Sequence, residues 1–252
     1  MDRCWSAVDG SYRLDWGGRA WTLRVDGPRP GLVVEGSDLV ILGLDGLAES
    51  GRRSDRALAG STLAYVERRH GRMEATYAPL GWGGLRVRAA WGPMGESGVE
   101  LEVQVTARSV GRLHGLEVAV LSEWRPGVGG PRWSLPRDAR SAGLAYDGRE
   151  ATVADLTTLP PDSAPGPTLG DGPDGRFYSQ HVGPGDASRV VRAGATRHVG
   201  PRSRTHLFGH DLERGVVLRA RVRGHWLGGG RPQADADALD AAFRAEPPPL
   251  GT

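Results

Sequence analysis

Lysine is absent from the sequence, and cysteine occurs once, at Cys4. The 32 basic residues are therefore all arginines, and with 30 acidic residues they give a formal charge of +2. A single cysteine excludes an internal disulfide bond and a metal site built from several cysteines. No apolar run approaches the roughly 18 residues that a membrane-spanning helix needs. We therefore expect a globular protein with no membrane partner and no metal.

Several motifs that would point to a function are also missing. The first residues, Met1–Ser6, contain no apolar segment of a signal peptide, so we expect a cytoplasmic protein. The sequence has no Gly-x-Ser-x-Gly nucleophile motif, and its glycine-rich runs lack the lysine of a phosphate-binding loop. Acidic residues interleave with the arginines, and the densest basic stretch is only Arg219–Arg223. We expect neither a cofactor nor a nucleic-acid partner.

Alternating apolar and polar residues dominate the chain. This period of two predicts β-strands that bury one face and leave the other polar. Leu101, Val103 and Val105, for example, alternate with charged or polar residues. The strands predicted in this way are Ser11–Gly17, Arg19–Asp26, Gly31–Gly36, Asp38–Leu44, Thr62–Arg69, Met73–Ala78, Leu85–Trp91, Val99–Arg108, Leu116–Trp124, Arg176–Val182, Ser188–Arg192, Arg204–Asp211 and Gly215–Trp226.

A few segments depart from the alternation. Only Gln233–Ala245 has a helical pattern, which ends before Pro247. Residues 45–60 are predicted to be an irregular connection. The segment Leu159–Gly175 is rich in proline and glycine, so we interpret it as a lid over a site or as an edge that contacts the second subunit of a homodimer. The predicted fold class is all-β: a large antiparallel two-sheet β-sandwich with one short C-terminal helix, as a single domain over residues 1–252.

His206 and His210 are candidate functional residues because a histidine titrates near neutral pH. On a regular strand they share one face at a separation of about 13 Å. That is too far for two ligands that each lie about 2 Å from one zinc ion, unless the strand bulges at Gly209. The remaining interpretations are half-exposed polar residues and general acid/base groups.

Glu117 and Glu123 share one face of the predicted strand Leu116–Trp124. If that face is buried, each carboxylate needs an arginine or a ligand. Their separation of about 20 Å on an extended strand is too large for a glycosidase carboxylate pair. Glu123 lies at the strand end, so it is the better candidate for a functional residue, and pairing with an arginine is the alternative.

Trp82 and Trp133 are predicted to lie on loops, in Pro79–Gly84 and Pro131–Pro136. An aromatic face beside arginine, glutamate and histidine side chains is suited to stacking on the apolar face of a sugar ring. Both residues are therefore candidate substrate-binding residues. The alternative is ordinary packing of the loops.

The run Tyr77–Trp82, the long strands from Leu85 to Trp124, and Thr205–Asp211 before the last predicted strand resemble the galactose mutarotase-like superfamily. This superfamily includes aldose 1-epimerases and related domains of glycoside hydrolases and polysaccharide lyases. The epimerase signature Asn-His-x-Tyr-Phe-Asn is missing from the chain. The resemblance implies a β-sandwich, a sugar-like ligand, and a histidine and a glutamate that act as acid and base. The candidates in this sequence for the roles that the resemblance implies are His206, His210 or His181 as acid, Glu123 as base, and Arg86, Arg88 and Arg204 as donors to sugar hydroxyls.

Two functional hypotheses follow. The first is a carbohydrate-active enzyme of the sugar epimerase type. The second is a non-catalytic module that binds a carbohydrate or a protein through the same polar face. The first predicts a chemically changed ligand, and the second predicts a ligand that is bound and released unchanged.

Overall fold

The computed structural model of the chain describes residues 5–16, 19–34, 39–50, 52–54, 58, 62–108, 111–124, 132–133, 140–144, 154–158, 165–171, 176–193, 202–228 and 230–247. These residues form β-strands and one helix, α1 (Pro232–Ala245). The strands are β1 (Ser6–Val8), β2 (Ser11–Trp16), β3 (Arg19–Arg24), β4 (Gly31–Val34), β5 (Val40–Ile41), β6 (Gly43–Glu49), β7 (Arg52–Ser54), β8 (Leu63–Arg69), β9 (Arg72–Tyr77), β10 (Leu85–Met94), β11 (Gly98–Ala107), β12 (Arg112–Glu123), β13 (Arg132–Trp133), β14 (Arg140–Leu144), β15 (Ala154–Thr158), β16 (Thr168–Asp171), β17 (Phe177–Val182), β18 (Ala187–Ala193), β19 (Arg202–Glu213) and β20 (Val217–Leu227).

The described strands form three antiparallel sheets. The N-terminal sheet has the order β1-β2-β3-β4-β5. Sheet I has the order β13-β16-β17-β20-β11-β10-β9-β8, and sheet II has the order β14-β15-β18-β19-β12-β6-β7. The predicted all-β sandwich with a C-terminal helix is confirmed. The sequence predicted two sheets, whereas the first five strands form a third.

Sheets I and II pack their apolar faces against each other. Val103 on β11 and Val118 on β12 are fully buried in one hydrophobic cluster that both sheets share. The alternation of the sequence explains these faces, because neighbouring side chains of a strand point to opposite sides of the sheet. The faces turned away from this core, called the outer faces here, carry the charged residues.

The N-terminal sheet packs against the same core. Trp21 on β3 lies 5.5 Å from Trp226 of sheet I between ring centroids. The Tyr77 hydroxyl on β9 donates a hydrogen bond of 2.8 Å to the carbonyl oxygen of Val25. The first five strands therefore belong to the structure that holds the sandwich together.

Helix α1 packs on the outer face of sheet I. Its residue Ala236 is buried with Leu169 of β16 and Leu227 of β20. Pro232 starts the helix, where its missing N–H is not needed, and Pro247 follows the last turn. The helix covers one end of the sheet I outer face and leaves the end formed by β8–β11 without a helical cover.

Two sequence interpretations are wrong. Gly43–Glu49 and Arg52–Ser54 are strands of sheet II, although they lie within or next to the predicted connection 45–60. Asp45 is polar but buried, so the alternation that marks a strand is interrupted there. In the loop predicted over Leu159–Gly175, Thr168–Asp171 pairs with β17 as a strand. None of the described helices combines the length and the apolar character needed to cross a membrane.

Candidate functional site

His206 and Glu117 lie side by side on the outer face of sheet II. His206 on β19 is opposite Ala119 on β12, and Glu117 is the next residue of β12 on that face. The His206 Nδ1 atom is 3.1 Å from Oε2 of Glu117. Both side chains are largely withdrawn from solvent, with exposed fractions of 7% and 13%. Neighbouring strands therefore bring an imidazole and a carboxylate into direct contact.

Two residues of β18 hold the same carboxylate. The Arg189 Nε donates hydrogen bonds of 3.1 Å to both oxygens of Glu117, and its Nη2 donates one of 2.6 Å to Oε2. The Ser188 hydroxyl donates a hydrogen bond of 2.7 Å to Oε1. Burial alone raises the pKa of Glu117, but the hydrogen bond from His206, the charge of His206 in its protonated form, and the hydrogen bonds from Arg189 and Ser188 lower it to about 2. Glu117 is therefore a carboxylate at neutral pH.

The pKa of His206 is lowered from its usual range. Burial is the largest cause, and the charges of Arg189 and Arg204 act in the same direction, against the raising effect of Glu117. The imidazole is then neutral at pH 7. Nδ1 is 3.1 Å from the Glu117 carboxylate and 3.4 Å from Arg189 Nη2. Because a carboxylate only accepts hydrogen bonds, the shorter contact with Glu117 places the proton on Nδ1. The lone pair is on Nε2, which has no hydrogen-bond partner among the described residues.

This arrangement has the geometry of a positioned general base. A carboxylate fixes the tautomer and the orientation of the imidazole, and it stabilises the imidazolium that forms when Nε2 accepts a proton. His206 is thus able to take and return a proton at Nε2, while Glu117 and Arg189 act through His206.

A second charged cluster occupies the other end of this face. Asp45 on β6 forms ion pairs with Arg204 on β19 and with Arg29, whose Nε is 3.4 Å from Asp45 Oδ1. Arg29 also donates a hydrogen bond of 3.0 Å to Oε1 of Glu123, and the backbone N–H of Val40 donates one of 3.3 Å to Oε2. Both carboxylate oxygens of Glu123 are engaged. The N-terminal sheet and its loop provide two of the contacts in this cluster.

The two clusters share one sheet face but are separated along it. Glu123 is four residues from Ala119, the residue opposite His206, which corresponds to about 13 Å along the strand. Leu121 and Arg204 are paired between them. The structure therefore places His206, Arg204 and Glu123 on one surface, with Arg204 in the middle.

His210 is not part of this surface. Phe208 and Gly209 both have positive φ angles, of 76° and 73°, and the pairing of β19 with β12 shifts at this point. The extra residue of this β-bulge changes the alternation. His210 is opposite Leu116 and exposed, while His206 is buried. The prediction that the two histidines share a face is wrong, and the described residues contain no group of three or more metal-ligating side chains.

His181 lies on the other side of the sandwich, on the outer face of sheet I and under helix α1. Its Nε2 is 2.9 Å from the Ser179 hydroxyl, and its Nδ1 is 3.5 Å from Oδ1 of Asp240 on the helix. The side chain is 1% exposed. His181 therefore cannot meet the same ligand as His206, and no substrate reaches it while the helix is in place.

The other predicted substrate-binding residues are also dispersed. Arg86 and Arg88 lie on β10, on the outer face of sheet I, away from His206. Trp82 is only 2% exposed and belongs to the hydrophobic core, so its ring has no open face for a sugar. The loop position suggested an exposed ring, but this loop folds inward over the core. The side chain of Trp133 lies outside the described residues.

Sequence reasoning missed four residues that build the site: Arg29, Asp45, Ser188 and Arg189. The expectation that Glu117 and Glu123 each need a partner is confirmed, since each is paired with an arginine. The identity of those arginines depends on strand register and on a loop of the N-terminal sheet, which no spacing in the sequence reveals. For Glu117, the sequence did contain a sign of a paired carboxylate, because Glu117 shares its strand face with the apolar residues Ala119 and Leu121.

No family model matches the sequence, and no curated protein matches it. Solved structures match the fold. The aldose epimerase homologue from C. elegans has a TM-score of 0.53 and 8% identity, over 90% of this chain and 99% of that chain. A protein provisionally named an aldose 1-epimerase, from Klebsiella pneumoniae subsp. pneumoniae, has a TM-score of 0.51 and 12% identity, over 95% of this chain and 82% of that chain.

The chain shares the overall fold of these two proteins. The chain also matches a heparan sulfate lyase HepC mutant from Pedobacter heparinus at a TM-score of 0.49 and 11% identity, and it spans 37% of the length of that chain. At these identities the two matches with TM-scores above 0.5 establish the fold alone, and the residues of the site carry the argument about function.

Proposed function

We propose that this chain is a carbohydrate-active protein of the sugar epimerase type, in which His206 transfers a proton on the outer face of sheet II. The observation that supports this proposal is the contact between His206 and Glu117, together with the unbonded Nε2 atom. A largely buried carboxylate that contacts and orients an imidazole is typical of acid/base sites.

Interconversion of sugar anomers requires proton transfer at two oxygens. A base takes the proton of the anomeric hydroxyl, the bond between C1 and the ring oxygen breaks as the C1 carbonyl forms, and the ring oxygen receives a proton. Neutral His206 fits the role of the base at Nε2. The lowered pKa of His206 makes this role more favourable than the acid role that the family resemblance implies, because an acid would first have to be protonated.

Arg204 is the proposed hydroxyl-binding donor of this site. It lies beside His206 on β19, and its guanidinium is oriented by Asp45. An arginine that is held by a carboxylate keeps its remaining N–H groups in a fixed geometry for a ligand. Glu123 is proposed to contribute charge at the far end of the surface through Arg29, since both of its oxygens are already engaged.

One observation favours the second hypothesis, a non-catalytic binding module. Both carboxylate oxygens of Glu123 already accept hydrogen bonds. Among the described residues of this face, His206 is then the one titratable group that has an unbonded ring nitrogen. A reaction that needs an acid and a base would then lack one of them. Binding without chemistry remains the alternative that the test must separate.

The test is saturation-transfer NMR of the full chain against a panel of free aldoses and short glycans, followed in the same tubes for anomer exchange. We expect His206→Gln to abolish accelerated exchange and Glu117→Gln to reduce it, because the imidazole loses its orientation. His210→Gln is the matched control, since His210 lies on the same strand but is exposed. Binding with no acceleration supports the binding module, and the absence of any binding contradicts both the epimerase and a carbohydrate-binding module and leaves a module that binds a protein.

A further inference from the structure

The outer face of sheet I carries a groove on the side of the sandwich opposite His206. It has a volume of about 260 Å³ and is formed by β8–β11 and the residue after β11. This size is close to the lower end, about 300 Å³, of pockets that bind small molecules. The described residues that line it are Ala64, Tyr65, Thr76, Arg86, Arg88, Gln104, Thr106 and Arg108.

The groove is positively charged. Three of its lining residues are arginines, and none of the described lining residues is acidic. Arg88 is neutralised by Glu74, to which its Nε and Nη2 donate hydrogen bonds of 2.9 and 2.5 Å. Arg86 and Arg108 have no ion-pair partner among the described residues. Within the described part of the chain, two arginine charges at this place are therefore uncompensated.

The rest of the same sheet face is different. Nearer to helix α1, Glu100 lies between Arg72 and Arg223 at 2.5 and 2.7 Å, and Glu102 pairs with Arg219 at 3.3 Å. Away from the groove, Arg72, Arg219 and Arg223 on this face are thus each matched by a carboxylate, whereas, among the residues that the structure describes, Arg86 and Arg108 are not. An unmatched pair of guanidinium groups is a site for an oxyanion, since the planar fork binds carboxylates, sulfates and phosphates.

Strand pairing brings Arg86 and Arg108 close together. Arg86 is opposite Thr106, and Arg108 follows two residues later on the same face. Such diagonal neighbours have Cα atoms about 7–8 Å apart, which long side chains bridge. One oxyanion is therefore able to contact both guanidinium groups.

The remaining lining residues fit a hydroxylated ring. Tyr65 is 53% exposed, so its ring face is open to solvent. The Thr76 hydroxyl is buried and has no hydrogen-bond partner among the described residues. The Gln104 side chain shares this row of the sheet with Arg88, from whose Nη1 it accepts a hydrogen bond of 3.3 Å. An aromatic face, an unsatisfied hydroxyl and an amide are the groups that recognise a sugar ring and its hydroxyls.

We propose that this groove is a second binding site, which takes an acidic sugar by placing its oxyanion between Arg86 and Arg108 and its ring against Tyr65. The site is independent of His206, since it lies on the opposite side of the sandwich. It gives the chain a preference for charged over neutral saccharides that the outer face of sheet II does not provide.

The test is isothermal titration calorimetry of the full chain with D-glucuronate. D-glucose serves as the neutral control ligand, and inorganic phosphate and sulfate serve as free oxyanions. We expect glucuronate to bind and Arg86→Gln or Arg108→Gln to weaken its binding about tenfold or more, as the loss of a charge-assisted hydrogen bond predicts. Arg69→Gln is the matched control: it removes one charge from the exposed strand β8 outside the groove, and binding should stay within about twofold.

Three of the results that would overturn the proposal come from the groove variants and the control ligands. They are unchanged glucuronate binding in Arg86→Gln and Arg108→Gln, glucose binding as tight as glucuronate binding, and free phosphate or sulfate binding as tight as glucuronate binding. Arg108 is exposed, so its substitution tests the groove without threatening the fold. His206→Gln separates this proposal from the proposed function: glucuronate binding that persists in this variant supports the groove, and binding that is lost in it contradicts the groove.

Discussion

The imidazole of His206 and the carboxylate of Glu117 contact each other across two adjacent strands, at 3.1 Å between Nδ1 and Oε2. The contact joins a residue of β19 to a residue of β12, so it depends on the register between two strands from different halves of the sequence. Arg189 holds the same carboxylate from β18. Three neighbouring strands thus fix the tautomer of one histidine.

The first prediction concerns the titration of His206. In Glu117→Gln we expect the pKa of His206 to fall further below its usual range, because the hydrogen bond and the charge of the carboxylate raise it. NMR titration of the imidazole Cε1 proton measures this shift. Glu123→Gln, on the same face but at the other cluster, is the control and should leave the titration unchanged. An identical titration in Glu117→Gln and in the wild-type protein would show that the contact does not form in solution.

The second prediction concerns stability and pH. Burial, then the neighbouring charges of His181 and Arg223, lower the pKa of His225 from 6.5 to about 4. The unfolded chain therefore binds a proton at His225 at higher pH than the folded chain does. The contribution of neutral His225 to the free energy of unfolding is fully present above pH 6.5 and is lost as the pH falls towards 4. At about 1.4 kcal/mol for each pKa unit, the loss is about 3 kcal/mol.

Urea denaturation between pH 7 and pH 5 measures this effect, because most carboxylates are still ionised in that range. We expect the free energy of unfolding to depend less on pH in His225→Gln than in the wild-type protein. His70→Gln is the control, since His70 is exposed in a turn. Equal slopes in all three proteins would contradict the prediction.

The third prediction concerns the attachment of helix α1. Phe243 is buried, and the guanidinium carbons of Arg221 and Arg223 lie 5.1 and 4.0 Å from the centroid of its ring. Removal of a buried aromatic side chain costs about 3–5 kcal/mol, so Phe243→Ala should lower the free energy of unfolding by that amount. Ala242→Ser, at the exposed neighbouring position, should change it by less than about 0.5 kcal/mol. A small effect of Phe243→Ala would mean that the helix is not docked.

The fourth prediction concerns a close approach within the core of sheet I. A Cβ atom at Gly170 would overlap the indole ring of Trp124. Gly170→Ala should therefore destabilise the protein by about 1–3 kcal/mol and change the tryptophan fluorescence of the folded state. Gly228→Ala is the control, because a Cβ atom there meets nothing within 4 Å. If both variants melt at the wild-type temperature, the ring of Trp124 does not lie against Gly170.

Residue alternation was sufficient to predict the sandwich and most of its strands. Leu101, Val103 and Val105 are buried as predicted, because each strand of a two-layer fold must bury one face. Alternation failed at β6, where Asp45 is buried through its ion pairs with Arg29 and Arg204. A pairing between distant residues compensates the buried charge, and the sequence of one strand contains no sign of it.

The candidate site was predicted only in part for the same reason. His206 and Arg204 were identified from their residue types, and the structure places them on one face. The partner of His206 is Glu117 rather than Glu123, because strand register decides which carboxylate lies beside the imidazole. The bulge at Phe208 and Gly209 removes His210 from that face, and a bulge changes the face of every residue beyond it.

The order of strands in the two large sheets has a consequence for how the chain folds. In sheet I, Val103 of β11 is opposite Ala220 of β20, and in sheet II, Val118 of β12 is opposite Leu207 of β19. Each sheet is thus held together at its centre by contacts between the two halves of the sequence. Proteins dominated by such non-local contacts fold slowly, since a long loop must close before the pairing stabilises it. During synthesis, β11 and β12 emerge long before their partners, and their unpaired edges are exposed to aggregation until the last strand has left the ribosome.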